Sequence, residues 1–540
     1  MKLKNEQISV GMTPSAGNVE PWRSTVNYMS SSRLHREIRA LIGSAIAALI
    51  VVGGVTAAIP ASANESVGAS VATAAKPQLP LHIEGSDIKD SAGDTVVLHG
   101  VNWFGMETST HSPHGLWTRD YKDMLKQIAA LGFNTVRVPF SLESLGSSTT
   151  SGIDFANGRN AELKGKTPLQ VLDAVITEAA RLGLLIILDN HSQADDGYMY
   201  PLWFGQSGYT EADWIAIWKK LAARYADQQN VIAFDVKNEP HGSASWGTGG
   251  PNDWRRAAQA AGNAVLRVNP RMLIVIEGIE APVAGGMLER HWWGGNLEGV
   301  RSHPVRLDLP NRVIYSPHEY GPEVFAQPWF ADGNMSTTLA HRWHAGFGYI
   351  VNSHTAPVLV GEFGAKDVST SSVEGRWFRQ FADYLSDNSI SWTYWAWNPN
   401  SGDTGGILKD DWTTVHADKL AVLKSVMAGH HVEFGKSDPV PAPGPDPTPS
   451  PTPTTSAVKV QRSITNDWGS GYCASVRITS DSVAPVRWRK AIAVDGSITE
   501  IWSAKFSTVK GSPVFSGLAW NNTVQKGSPV EFGYCGLRGS

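Results

Sequence analysis

The sequence predicts an α/β protein in which eight strand–helix units close into a barrel, followed by a Pro/Thr/Ser linker and a small all-β sandwich. Three observations lead there. Between residues 81 and 434, eight short apolar runs alternate with stretches of helical periodicity, the pattern of a parallel sheet covered on both faces. From 439 to 453 every second residue is proline, a tract that buries no core and, if extended, spans on the order of 45 Å. Residues 457–540 carry β-branched runs broken by turn residues, without helical period. A chain of 540 residues, 42% hydrophobic, is too long for one average domain.

Residues 1–63 read as an N-terminal extension with an export signal. Arg33, Arg36 and Arg39 precede an apolar run at 40–58, and Ala61-Ser62-Ala63 suits signal peptidase. The polar stretch before residue 29 is too long for an ordinary signal, so translation is expected to start at Met29. An uncleaved membrane anchor is the rival reading. After a short linker, 64–80, the barrel occupies 81–434, with strands expected at 96–100, 135–140, 184–190, 231–237, 272–278, 313–318, 358–361 and 392–397. Helices are expected at 119–131, 168–182, 211–225, 254–268 and 373–386. Eight units over roughly 350 residues suit a (β/α)8 barrel with loop insertions. The runner-up, an open doubly wound sheet, is weakened because no G-x-G-x-x-G follows the first strand. The linker is placed at 435–456 and the sandwich at 457–540.

Two glutamates stand where barrel enzymes do chemistry, at the carboxyl ends of strands. Glu239, in Asn238-Glu239-Pro240, closes the fourth run, and Glu362, in Gly361-Glu362-Phe363-Gly364, closes the seventh. Strands four and seven face each other across a barrel mouth, so the two carboxylates can converge as acid and nucleophile on a glycosidic bond. A gap of about 5 Å gives retention and about 8 Å gives inversion. Arg137, His191, His318 and Trp395 also fall at or just beyond strand ends. Alone, each has a bland reading as an ion-pair partner, a satisfied histidine or core; their shared position on one face argues for catalysis. Glu277, Asp189 and Asp235 with His191 form a rival metal cluster, but no H-x-H or H-E-x-x-H spacing supports it. A net charge of -4 provides no basic field for nucleic acid or anionic lipid, and 21 tryptophans favour a neutral partner on which flat rings can stack.

These motifs, over all eight strands, resemble glycoside hydrolase family 5, a retaining family with many endo-β-1,4-glucanases. The stretches His99-Gly100-Val101-Asn102-Trp103-Phe104-Gly105 and Ser401-Gly402-Asp403-Thr404-Gly405-Gly406 point to its bacterial cellulase branch. The resemblance implies that Glu239 is the acid/base and Glu362 the nucleophile, held by Arg137. It implies that His191 lines the subsite beside the cleaved bond, that Asn238 binds the sugar 2-hydroxyl and that His318 and Tyr320 orient the glutamates. Trp395 would be a stacking platform, with Trp103, Trp292 and Trp293 as further stacking candidates. The expected activity is a secreted, monomeric endo-β-1,4-glucanase acting on cellulose and soluble β-1,4-glucans. No cofactor or metal, no nucleic acid and no lasting membrane attachment is expected. Mannan, xylan or mixed-linkage glucan as substrate, or a non-catalytic polysaccharide binder, are the alternatives.

The last segment resembles carbohydrate-binding module family 2. Trp468, Trp502 and Trp520 match the three places where that family exposes tryptophans to cellulose, while Trp488 is expected inside. The two cysteines, Cys473 and Cys535, permit one bridge. It would add roughly 4 kcal/mol on the chain-entropy model and needs an oxidising compartment. The family usually bridges cysteines near its two termini; here that pairing is absent, and the available pair sits within inner strand segments.

Overall fold

The computed structural model describes residues 77–428, 458–509, 512–517, 521–527 and 529–538. The expected export signal, the start at Met29, the linker at 435–456 and Trp520 lie outside them, and the 64–80 linker is described only from residue 77.

Eight parallel strands form one sheet: His99–Asn102, Thr135–Ser141, Leu185–Ser192, Val231–Asp235, Leu273–Glu277, Val313–Ser316, Leu359–Val360 and Ser391–Tyr394. Each pairs with its neighbours in chain order, the eighth pairs with the first, and a parallel bridge between Tyr315 and Val358 closes the cylinder between the sixth and seventh. The open-sheet alternative is thereby set aside. Helices Tyr121–Ala130, Pro168–Leu182, Glu211–Arg224, Trp254–Leu266 and Val373–Asp387 lie within about two residues of expectation. Pro168–Leu182 shows why. The Thr167 hydroxyl accepts from Gln170 N, the Gln170 side chain returns to Thr167 N, proline opens the first turn, and Gly183 ends the helix at φ 78°. Helices Met335–Trp343 and Ala417–Ala428 complete the sixth and eighth units, whereas the fifth is spanned by a short 3-10 turn, Glu298–Arg301.

Alternation along the strands builds two layers inside the cylinder. Outward residues such as Val136, Val138, Ile186, Leu188, Phe234, Ile274 and Ile276 pack under the helices. Of the inward residues, Leu185, Ile187, Ala233, Leu273, Val275, Ile314 and Leu359 form a separate apolar floor. The hairpin His82–Glu84 and Asp87–Lys89 adds Ile83 and Ile88 to this floor. Above it the same parity continues into Arg137, Asp189, Asp235 and Glu277, all buried. The floor excludes water below, so the polar layer can open only toward the carboxyl ends of the strands.

Strand ends differ from expectation for identifiable reasons. The first strand starts at His99 rather than 96, because Val96 N donates to Ile88 O and is engaged by the hairpin. The seventh is broken at Gly361: Leu359–Val360 pairs within the barrel, while Glu362–Gly364 pairs with His318–Tyr320 in a separate two-stranded extension. That extension sets Glu362 in register with His318.

The C-terminal residues form antiparallel sheets around Tyr472, Val476, Trp488, Phe515, Phe532 and Tyr534. The largest has four strands, in the order Val458–Asp467, Gly471–Ser480, Val530–Leu537 and Ser497–Trp502. Cys473 and Cys535 are opposite each other on its central strands and form the disulfide. Trp488 is inside as expected, stacked on Phe532, its Nε1 donating to Asn521 O.

Candidate active site

Arg137 organises the polar layer. Its Nε donates to Asp235 Oδ2 at 3.0 Å, its Nη1 to Asn102 Oδ1 at 2.9 Å and to Glu362 Oε1 at 2.8 Å. Its Nη2 donates to Asn238 Oδ1 at 2.9 Å and Glu277 Oε1 at 3.2 Å, with Asp189 Oδ1 at 3.2 Å. Burial opposes the guanidinium charge, but Asp189, Asp235, Glu362 and Glu277 outweigh it and hold Arg137 well above its ordinary pKa. The carboxyls share the strain: burial pushes Asp189 and Asp235 up to about 7, with Arg137 pulling them down. The carboxylates considered as a metal cluster are therefore gathered around an arginine, and Asp189 Oδ2 is 2.8 Å from His191 Nδ1.

Glu239 and Glu362 meet above this layer. One ligand atom each from Glu239, His318 and Glu362 lie within 4.8 Å of one another. Their surroundings differ. Glu362 accepts from Arg137 on one oxygen and from the Tyr320 hydroxyl, at 2.6 Å, on the other. Burial and then the Glu362 charge push Tyr320 well above the usual phenol range, so it remains a donor. Glu239 Oε1 lies 3.0 Å from His318 Nδ1. Burial pulls His318 down, but Glu277 and Glu362 overcome it and hold the imidazole well above its ordinary value. Glu239 itself is in the left-handed region, φ 49°, with its N–H donating to Glu277 Oε2 at 2.6 Å.

His191 and Trp395 complete one wall. Their rings are parallel, 5.4 Å apart, and Trp395 is also parallel to Phe104 at 5.2 Å while remaining partly exposed. Burial pushes His191 down to about 3, so it acts as a neutral group. Trp293 is partly exposed and stacked on His241 at 3.8 Å. Two expected stacking residues are corrected. Trp103 is fully buried with its Nε1 donating to His114 O, because the chain returns at His114, whose N–H donates to Phe104 O. Trp292 is 8% exposed and packs edge-on against Tyr320 and Trp329, so it walls the site instead of offering a free face.

Sequence reasoning passed over several neighbours. Asn102 accepts from Arg137 and donates to Gly361 O, beside Glu362. Met199 Sδ is 3.4 Å from Asn238 Nδ2. Trp117, 39% exposed, continues the ring series from Trp395 through Phe104 and His114. Glu277, weighed in the sequence only as a metal ligand, lies two residues beyond inward-facing Val275 and so points inward too. In the sandwich, Trp468 is 47% exposed, while the Trp502 side chain and Trp520 lie outside the described residues.

Residues 90–401 match the family model described as cellulase (glycosyl hydrolase family 5), and 458–540 match that of a cellulose binding domain. An endoglucanase of Paenibacillus polymyxa is 47% identical over 348 residues, 64% of this chain and 86% of that one. The major extracellular endoglucanase of Xanthomonas campestris is 41% identical over 482 residues, 87% of this chain and 97% of that one. Among solved structures, a Pyrococcus horikoshii endocellulase in complex with cellotetraose superimposes with a TM-score of 0.60 at 38% identity, covering 64% of this chain and 98% of that one.

Proposed function

The chain belongs to glycosyl hydrolase family 5 and carries a cellulose binding domain, and from that premise we propose that this glycoside hydrolase is a secreted endo-β-1,4-glucanase working by retaining double displacement. The observation that carries the mechanism is the close approach of Glu239 and Glu362, one oxygen of each within 4.8 Å of the other, with His318 Nδ1 facing both. That separation suits direct attack and leaves no room for a water between the carboxylate and the sugar.

In the first step Glu362 attacks the anomeric carbon as the glycosidic C–O bond breaks, and the proton of Glu239 goes to the leaving oxygen. Arg137 and Tyr320 aim the Glu362 oxygens. In the second step water adds to the same carbon, its proton passing to Glu239, and the Glu362 carboxylate is released. Asn238, held by Arg137, would bind the 2-hydroxyl. His191 and Trp395 would line the subsite beside the cleaved bond, and Trp293, stacked on His241, remains a further stacking candidate. Metal is not needed at any step, so EDTA is expected to leave the rate on carboxymethylcellulose unchanged; loss restored by a divalent ion would move the protein to another mechanism.

The names of both relatives and the cellotetraose complex support β-1,4-glucan as substrate. Product analysis on carboxymethylcellulose, mannan, xylan and mixed-linkage glucan tests this. Internal cleavage of the first is expected, and a preference for mannan or xylan would overturn the assignment. Secretion is supported by the disulfide and by the extracellular Xanthomonas relative. We assign 81–434 to catalysis and 457–540 to cellulose binding through Trp468, Trp502 and Trp520. Trp468→Ala should weaken adsorption to crystalline cellulose roughly fivefold, from about 1 kcal/mol of stacking. Turnover of soluble substrate should not change, and unchanged adsorption would remove Trp468 from the binding face.

A further inference from the structure

Glu277 is buried in the barrel mouth and is neither acid nor nucleophile, yet it touches the Glu239 main chain and the two side chains, Arg137 and His318, that brace the pair. Its Oε2 accepts the main-chain N–H of Glu239 at 2.6 Å. Its Oε1 is 3.1 Å from His318 Nε2 and accepts from Arg137 Nη2 at 3.2 Å. His318 is thus enclosed by carboxylates, Glu277 at Nε2 and Glu239 at Nδ1. Gly294 closes the space above: a Cβ there would stand 2.3 Å from Glu277 Oε2 and 3.2 Å from Glu239 Cα.

From this geometry we infer that Glu277 is a positioning residue for the acid: it clamps the Glu239 main chain and, through His318, the carboxyl oxygen that does not carry the proton. The clamp matters because Glu239 occupies a backbone region that side-chain-bearing residues rarely adopt, φ 49°, and its N–H has Glu277 as partner. The His318 link matters for proton placement. With Glu277 beside Nε2, the imidazole keeps a proton on Nδ1 and donates to Glu239 Oε1, so the transferable proton of Glu239 is left on Oε2. Burial pushes Glu277 up to about 8 and the His318 charge opposes it, so the carboxyl and the imidazole hold each other in place beside the acid.

The inference rests on the assignment of Glu239 as acid, and its test separates the two. Acid assistance is needed where the leaving oxygen is a poor leaving group and is dispensable where it is a good one. Glu277→Gln can still accept from Glu239 N but brings an NH2 toward His318 and Arg137. For this variant, kcat/KM on cellotetraose should fall on the order of 10²-fold, while kcat/KM on 2,4-dinitrophenyl β-cellobioside stays within about threefold. Glu277→Asp, which keeps the charge but withdraws it by one methylene, should show the same selectivity to a smaller degree, and it carries the test if the glutamine variant does not fold. Equal losses on both substrates in a variant with a parental unfolding midpoint would make Glu277 merely structural, and no loss on cellotetraose would remove it altogether. Failure of the parent protein on both substrates would instead defeat the assignment of Glu239 and Glu362.

Discussion

Glu362→Gln is expected to give a folded protein whose kcat on carboxymethylcellulose is lower by on the order of 10⁴-fold or more. A carboxamide is isosteric with the carboxylate but cannot attack the anomeric carbon, and both positions around Glu362 are occupied by donors, Arg137 Nη1 at 2.8 Å and the Tyr320 hydroxyl at 2.6 Å. Glutamine can satisfy one of them with its oxygen and must turn its NH2 toward the other. Binding should persist, so cello-oligosaccharide affinity is expected to change far less than kcat. Stereochemistry in the parent protein checks the same assignment independently. Proton NMR in the first minutes of cello-oligosaccharide hydrolysis should show the β-anomer at the new reducing end before mutarotation. A tenth or more of parental activity in the variant, or the α-anomer appearing first, would end the role of Glu362 as nucleophile.

How much of this was legible in the sequence depends on parity. Eight apolar runs announce eight strands, and the acidic residue ending three of them, Asp189, Asp235 and Glu277, is visible in the string. What a run of buried residues hides is which side faces in, because both faces of a parallel barrel strand are apolar. Once Leu185 and Ile187 are known to lie in the floor, Asp189 must point inward, and the acids become a shell for Arg137 rather than a metal cluster. The Glu239–Glu362 meeting was expected from strand ends alone. The resemblance implied that His318 orients the glutamates, but the strand register that sets it opposite Glu362 was not legible, since it depends on the seventh strand breaking at Gly361 and resuming against His318–Tyr320. Tryptophans were the least readable. Trp103 and Trp395 are both just past a strand, yet one is covered by the returning segment 103–114 and the other stays open beside His191. A tryptophan's type permits either outcome, and only the path of the loop above it decides.

Arg137→Met tests the polar layer as a whole. Methionine fills much of the volume but leaves Asp189, Asp235, Glu277 and Glu362 around an apolar side chain. Removing one partner from a buried ion pair typically costs about 3–5 kcal/mol, and here one cation serves four carboxylates, so a loss at the upper end of that range is expected. The pH dependence gives the more specific signature. Without the guanidinium, the folded-state pKa values of Asp189, Asp235 and Glu277 rise further above the ordinary carboxylate range near 4. A folded protein that binds more protons than its unfolded chain loses stability as pH rises. Burial already places Asp189 and Asp235 at about 7 with Arg137 present, so in the variant the decline should extend from about pH 4 through neutrality. Chemical denaturation of parent and variant at pH 5 and pH 8 measures this: the deficit of the variant should be larger at pH 8. A deficit that is equal at both values, or larger at pH 5, would mean that the arginine is not what keeps these carboxylates charged in the barrel.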